Sequence, residues 1–104
     1  MTNIKRRLAT ILATDCVDFS KYMELDEVST LSGLNACRVI IDSNIEDFGG
    51  RIFHTAGDSV IAEFDSPVEC VNASVRFQKA LMERNKDSSV ELKLLWRVGI
   101  HVDD

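Results

Sequence analysis

Several features are missing from this chain, and each absence excludes something. No apolar run approaches the roughly 20 residues that span a bilayer, and the N-terminus stays polar until Leu8, without the pattern of a signal peptide. The expectation is a cytoplasmic protein with no membrane segment in this chain. Cys16, Cys37 and Cys70 are odd in number and show no CxxC spacing, which argues against a disulfide framework or a structural zinc site. There is no basic stripe. Lys5-Arg6-Arg7 is short and the net charge is −5, so nucleic acid is not an expected partner. Low-complexity segments, linkers and repeats are also lacking. With 104 residues, 45% hydrophobic and 28% charged, the composition fits one globular domain with one modest core.

What is present reads as alternating strands and helices. Residues 7–17 form a nearly continuous apolar run through Leu8, Ala9, Ile11, Leu12 and Ala13, which predicts a central strand. Asp18-Phe19-Ser20 opens a helical stretch, and Asp26 is a second start signal. From there Val28, Leu31, Leu34, Ile41, Ile45 and Phe48 recur at helical spacing until Gly49-Gly50 stops the helix. Residues 51–64 read as a hairpin turning at Ala56-Gly57-Asp58-Ser59. Ser66-Pro67-Val68-Glu69 is a capping box with the chain's one proline at the first helical position, and that helix runs to about Arg84. A polar loop at 85–89 precedes a last strand over 90–102. The order β-α-β-β-α-β predicts an α+β, ferredoxin-like fold: an antiparallel sheet with two helices on one face.

Two of these strands each deliver an aspartate at a chain reversal. Asp15 follows the first apolar run, and Asp58 sits in the hairpin turn. Aspartate suits turns and caps, and that alone accounts for either residue singly. A carboxylate beside a packed sheet is nevertheless costly to desolvate without a partner. A divalent cation satisfies two of them at once; magnesium takes carboxylates together with phosphate oxygens and water. The pair points to metal-assisted chemistry on a phosphate-bearing substrate.

ILATDCVDFS, GGRIFHTAGDSVIAEF and RVGIH, in this order and spacing, resemble the class III adenylate/guanylate cyclase catalytic domain, most closely its bacterial branch, where similar stretches open with RRLA. The likeness covers essentially all of residues 1–104, read as a single cyclase-like core. It implies cyclisation of ATP (or GTP) to the 3′,5′-cyclic nucleotide with release of pyrophosphate. It also implies Mg²⁺ or Mn²⁺, two per site, and a homodimer. Asp15 and Asp58 match the metal-binding aspartates, Cys16 the position that gives a backbone carbonyl to the metal, and Phe19 and Ser20 the turn whose amides contact phosphates. One ion would activate the ribose 3′-hydroxyl and the other would neutralise the leaving group.

The chain departs from the family pattern at His54, where a base-contacting lysine is frequent, and at Asp18, where glycine is usual. His54 is the matching base-binding position, and it also reads as a packed strand residue. The family's asparagine and arginine for ribose and transition state fall beyond the last strand, so the expectation is a domain core lacking the C-terminal part, inactive or nearly so alone. A non-enzymatic, cyclase-like nucleotide-binding or regulatory module therefore stays open beside the enzyme. A diguanylate cyclase ranks below both, because its GGDEF-type hairpin is absent.

Overall fold

The computed structural model describes residues 9–103. Lys5-Arg6-Arg7, Leu8 and Asp104 lie outside them, and with them the predicted start of the first strand. The elements are β1 (Ala9–Cys16), α1 (Phe19–Leu25), α2 (Glu27–Asp47), β2 (Arg51–Ala56), β3 (Ser59–Phe64), α3 (Pro67–Lys86) and β4 (Trp96–Asp103). The four strands form one antiparallel sheet in the order β2-β3-β1-β4. Strands β1 and β2 run parallel with β3 between them, which is the split β-α-β arrangement the sequence predicts. Helices α2 and α3 pack on the sheet and on each other. The third, short α1 leans on α2, so there are three helices where the sequence suggests two.

Strand β1 is central, but only one of its faces is covered. Thr10, Leu12, Thr14 and Cys16 are buried, whereas Ala13 is exposed and Ile11 and Asp15 are half-buried. The covered face joins Leu12, Val60, Ala62, Phe64 and Trp96 to Leu34, Cys37, Ile41 and Ile45 of α2 and to Cys70, Ala73, Phe77 and Leu81 of α3. All three cysteines are free and buried, as small apolar core residues.

The stop at Gly49-Gly50 uses its two glycines for different reasons. Gly49 takes the left-handed φ of 82°. Its N–H bonds to Glu46 O and that of Gly50 to Ile45 O at 2.8 Å, the Schellman pattern. At Gly50 a Cβ would lie 2.5 Å from Phe64 Cζ and 2.7 Å from Ile45 Cγ2, so space, not φ, demands glycine there. At the start of α3, Ser66 accepts from Glu69 N–H as the capping box predicts.

The last strand corrects the prediction. It begins at Trp96, six residues after 90, because the preceding carbonyls are already taken. Arg84 Nη1 donates to Leu92 O at 3.1 Å and Asn85 Nδ2 to Leu94 O at 3.0 Å. Strand β1 offers no partner past Val17, whose N–H reaches Leu95 O. Leu94 is buried all the same, as a loop residue closing the end of the core.

Candidate active site

The β2–β3 hairpin turns through two residues, Gly57 and Asp58, with Gly57 supplying a φ of 58° that most side chains resist. This tight turn puts Asp58 at the hairpin apex beside the end of β1. There Asp58 Oδ2 accepts the backbone N–H of Cys16 at 2.8 Å. The preceding residue, Asp15, projects from the opposite face of β1 to Cys16 and lies in register with Arg97 of β4, whose Nε donates to Asp15 Oδ1 at 2.8 Å. Both carboxylates line one open pocket of about 430 Å³ with Cys16, Asp18, Phe19, Ser20, Lys21 and Arg97.

Phe19 and Ser20 form the first turn of α1. Tyr22 N–H makes the first helical bond, to Asp18 O at 3.1 Å, which leaves the amides of Phe19, Ser20 and Lys21, three residues that line the pocket, in the unpaired first turn. Asp18 carries φ 58° and ψ 28°. That left-handed backbone is one that glycine adopts freely and aspartate tolerates, which explains in conformational terms why glycine is the expected residue.

The side chains divide cleanly by chemistry. The Cys16 thiol is 2% exposed, and burial, followed by the charge of Asp58, pushes its pKa up to about 12, so it stays a neutral thiol. Only its backbone carbonyl is suited to a hard cation. Arg97 is held more firmly protonated by its hydrogen bond to Asp15, with the charges of Asp15, Asp58 and Asp18 adding to it. Among the described residues no group of three or more histidine, cysteine, aspartate or glutamate side chains gathers to hold a metal ion. Three carboxylates, those of Asp15, Asp18 and Asp58, line the pocket, and Cys16 can add its backbone carbonyl. That set fits a divalent cation which draws its remaining ligands from phosphate oxygens and water, and it does not fit a closed structural site.

His54 is not part of this pocket. It pairs with Ile61, so it lies on the uncovered face of the sheet, in one cross-strand row with Ile61, Ala13 and Gly99. Along that row runs a shallow, mainly apolar trough of about 380 Å³, and Asp15 and Arg97 line both it and the pocket. A β-bulge at Phe53 sets this register: Ile52 faces the helices opposite Ala62, and His54 faces outward.

The whole chain resembles known cyclases. It is 37% identical over 103 residues, 98% of its length, to the protein named "Putative adenylate cyclase 3" of Rhizobium meliloti. Its fold matches the adenylate/guanylate cyclase/hydrolase from Silicibacter pomeroyi at 32% identity and a TM-score of 0.83, over 97% of this chain and 59% of that one. It also matches the guanylyl cyclase Cya2 at 27% identity and a TM-score of 0.81, over 95% of this chain and 55% of that one. The chain belongs to the class III adenylate/guanylate cyclase family. No protein-family model matches it. The chain spans 18% of the length of the curated relative and between half and two thirds of these solved cyclase chains. No helix among the described residues is long and apolar enough to cross a membrane.

Nothing in the local sequence of this cyclase-family chain marks a role for Arg97. It stands inside the RVGIH motif, a charged residue in a strand otherwise apolar at alternate positions. Its partner becomes visible only once β4 is registered against β1.

Proposed function

We propose that this chain supplies the metal- and polyphosphate-binding part of a purine nucleotide cyclase site, forming a 3′,5′-cyclic nucleotide and pyrophosphate from ATP or GTP. The observation that carries this reading is the 2.8 Å bond from Cys16 N–H to Asp58 Oδ2, which ties the hairpin apex to the end of β1 and brings two carboxylates to one pocket. Asp15, Asp58 and the Cys16 carbonyl would hold Mg²⁺ or Mn²⁺, two ions per site. Held there, a divalent cation would lower the pKa of an attacking hydroxyl and neutralise charge on the leaving phosphates. The unpaired amides of Phe19 and Ser20 would face the phosphates, and the trough over Ala13, Ile61 and Gly99 gives a nucleoside an apolar floor that ends near His54. From this position His54 would offer a hydrogen bond to the base. The remainder of the site, and a second copy of the domain, would close over this open face.

A second reading is a nucleotide-binding regulatory module. The observation favouring it is the pocket's own charge pattern: Asp15 is already paired with Arg97, and Asp18 adds a third carboxylate where phosphates would lie. Manganese titration with Asp15→Asn and Asp58→Asn, alongside a cyclic-nucleotide assay with ATP and GTP on this chain and on a longer one, separates the two. Loss of metal binding in both variants together with product formation establishes the cyclase. Nucleotide binding without product in either length establishes the module. Metal binding unchanged by both substitutions removes the site altogether.

A further inference from the structure

The two aspartates are not held in the same way. Asp58 is fixed by a backbone N–H, a donor that has no rotamer to change. Asp15 is held by the long, exposed side chain of Arg97. The side chains of Arg97 and Asp15 are 69% and 38% exposed, so their contact is an exposed ion pair of the weak kind, easily exchanged. Arg97 lines the pocket together with all three of its carboxylates, Asp15, Asp18 and Asp58, and contacts the first of them directly. Lys21 lines the same pocket but makes no ion pair or hydrogen bond through its ammonium among the described residues.

We propose that Arg97 is a positioning residue that latches Asp15, occupying the carboxylate oxygen a divalent cation needs, so that the free cation binds weakly until the guanidinium is drawn to another acceptor. This rests on the metal role proposed above for Asp15 and Asp58. A guanidinium satisfies a carboxylate oxygen and a phosphate oxygen with the same planar N–H geometry, so an arriving polyphosphate offers it an equivalent partner. Asp58 is already in place, and unlatching Asp15 completes the donor set. A metal–nucleotide complex would thus assemble the site where the free ion does not.

The test is Mn²⁺ titration of this chain, without nucleotide, followed through the signal of free Mn²⁺, together with ¹⁵N–¹H spectra of the arginine Nε groups during Mg²⁺ addition. Arg97→Ala is expected to bind Mn²⁺ about three- to tenfold more tightly than the parent chain, because an exposed pair is weak and its loss leaves the fold intact. Lys21→Ala is expected to change affinity by less than about twofold, since an unpaired cation acts only through a screened field. The Arg97 Nε resonance is expected to move as Mg²⁺ binds, and to stay still in Asp15→Asn. Equal or weaker binding by Arg97→Ala, a gain in Lys21→Ala as large as its own, or an Nε resonance that ignores bound Mg²⁺ overturns the latch and leaves the metal site standing. No Mn²⁺ bound by the parent chain or by Arg97→Ala overturns the metal site and the latch together.

Discussion

On the helix-covered face of the sheet, Leu12, Val60, Ala62 and Phe64 are at most 1% exposed. One residue further along the same strands, the other face carries Ala13, Asp15 and Ile61, with Arg97, Gly99 and His101 beside them on β4. The same backbone therefore presents a packed core on one side and a shallow trough with a charged end on the other. The alternation of strand side chains makes this division, and the difference lies in what each side gains from its residues. Covered positions contribute stability through close packing. Open positions contribute little to folding, which leaves them free to carry charge. Asp15 and Cys16 show the contrast in adjacent residues: one is a half-exposed carboxylate in an ion pair, the other a buried neutral thiol.

The largest effect should come from breaking the covered face. Phe64→Ala is expected to cost about 3–5 kcal/mol in urea unfolding, while Ile61→Ala, three residues before it on the open face, should cost less than about 1 kcal/mol. Equal costs would mean that the open face is packed in solution. Next, Asp58→Asn keeps an oxygen for the Cys16 N–H but removes a charge from the pocket. Stability should hold while Mn²⁺ affinity falls by more than the roughly tenfold typical of losing an outer-sphere partner, as measured by calorimetric titration.

Smaller still, Asp18→Gly relieves a left-handed backbone and removes a pocket carboxylate. Thermal unfolding should shift toward higher stability by less than about 1 kcal/mol, because glycine's greater freedom in the unfolded chain offsets part of the relief. The smallest effect at neutral pH belongs to the thiols. Cys16 and Cys70 have pKa values raised to about 12 and about 11 by burial, so native alkylation at pH 8 should be negligible and appear only on unfolding. Their folded values lie above the unfolded one. The associated stability is therefore complete below about pH 8.5 and is lost as pH rises from there toward 11–12, which alkaline unfolding curves would register.

Much of this molecule could be read from local signals. Ser66 and Asp26 cap helices as their positions suggest, each accepting a backbone N–H three residues on. Gly49 ends α2, and Gly57 turns the hairpin that carries Asp58. Such signals act over a few residues, through φ preferences and caps, so the sequence by itself determined the fold class and the hairpin reversal that carries Asp58, whereas Asp15 lies inside β1, paired with Arg97, and not at a reversal. Tertiary structure decided the rest. The start of β4 was set by Arg84 and Asn85 taking carbonyls across the loop, and the outward turn of His54 by a bulge. Arg97 met Asp15 across 82 residues of chain. Contacts at that separation depend on strand register and helix packing, which no local propensity encodes.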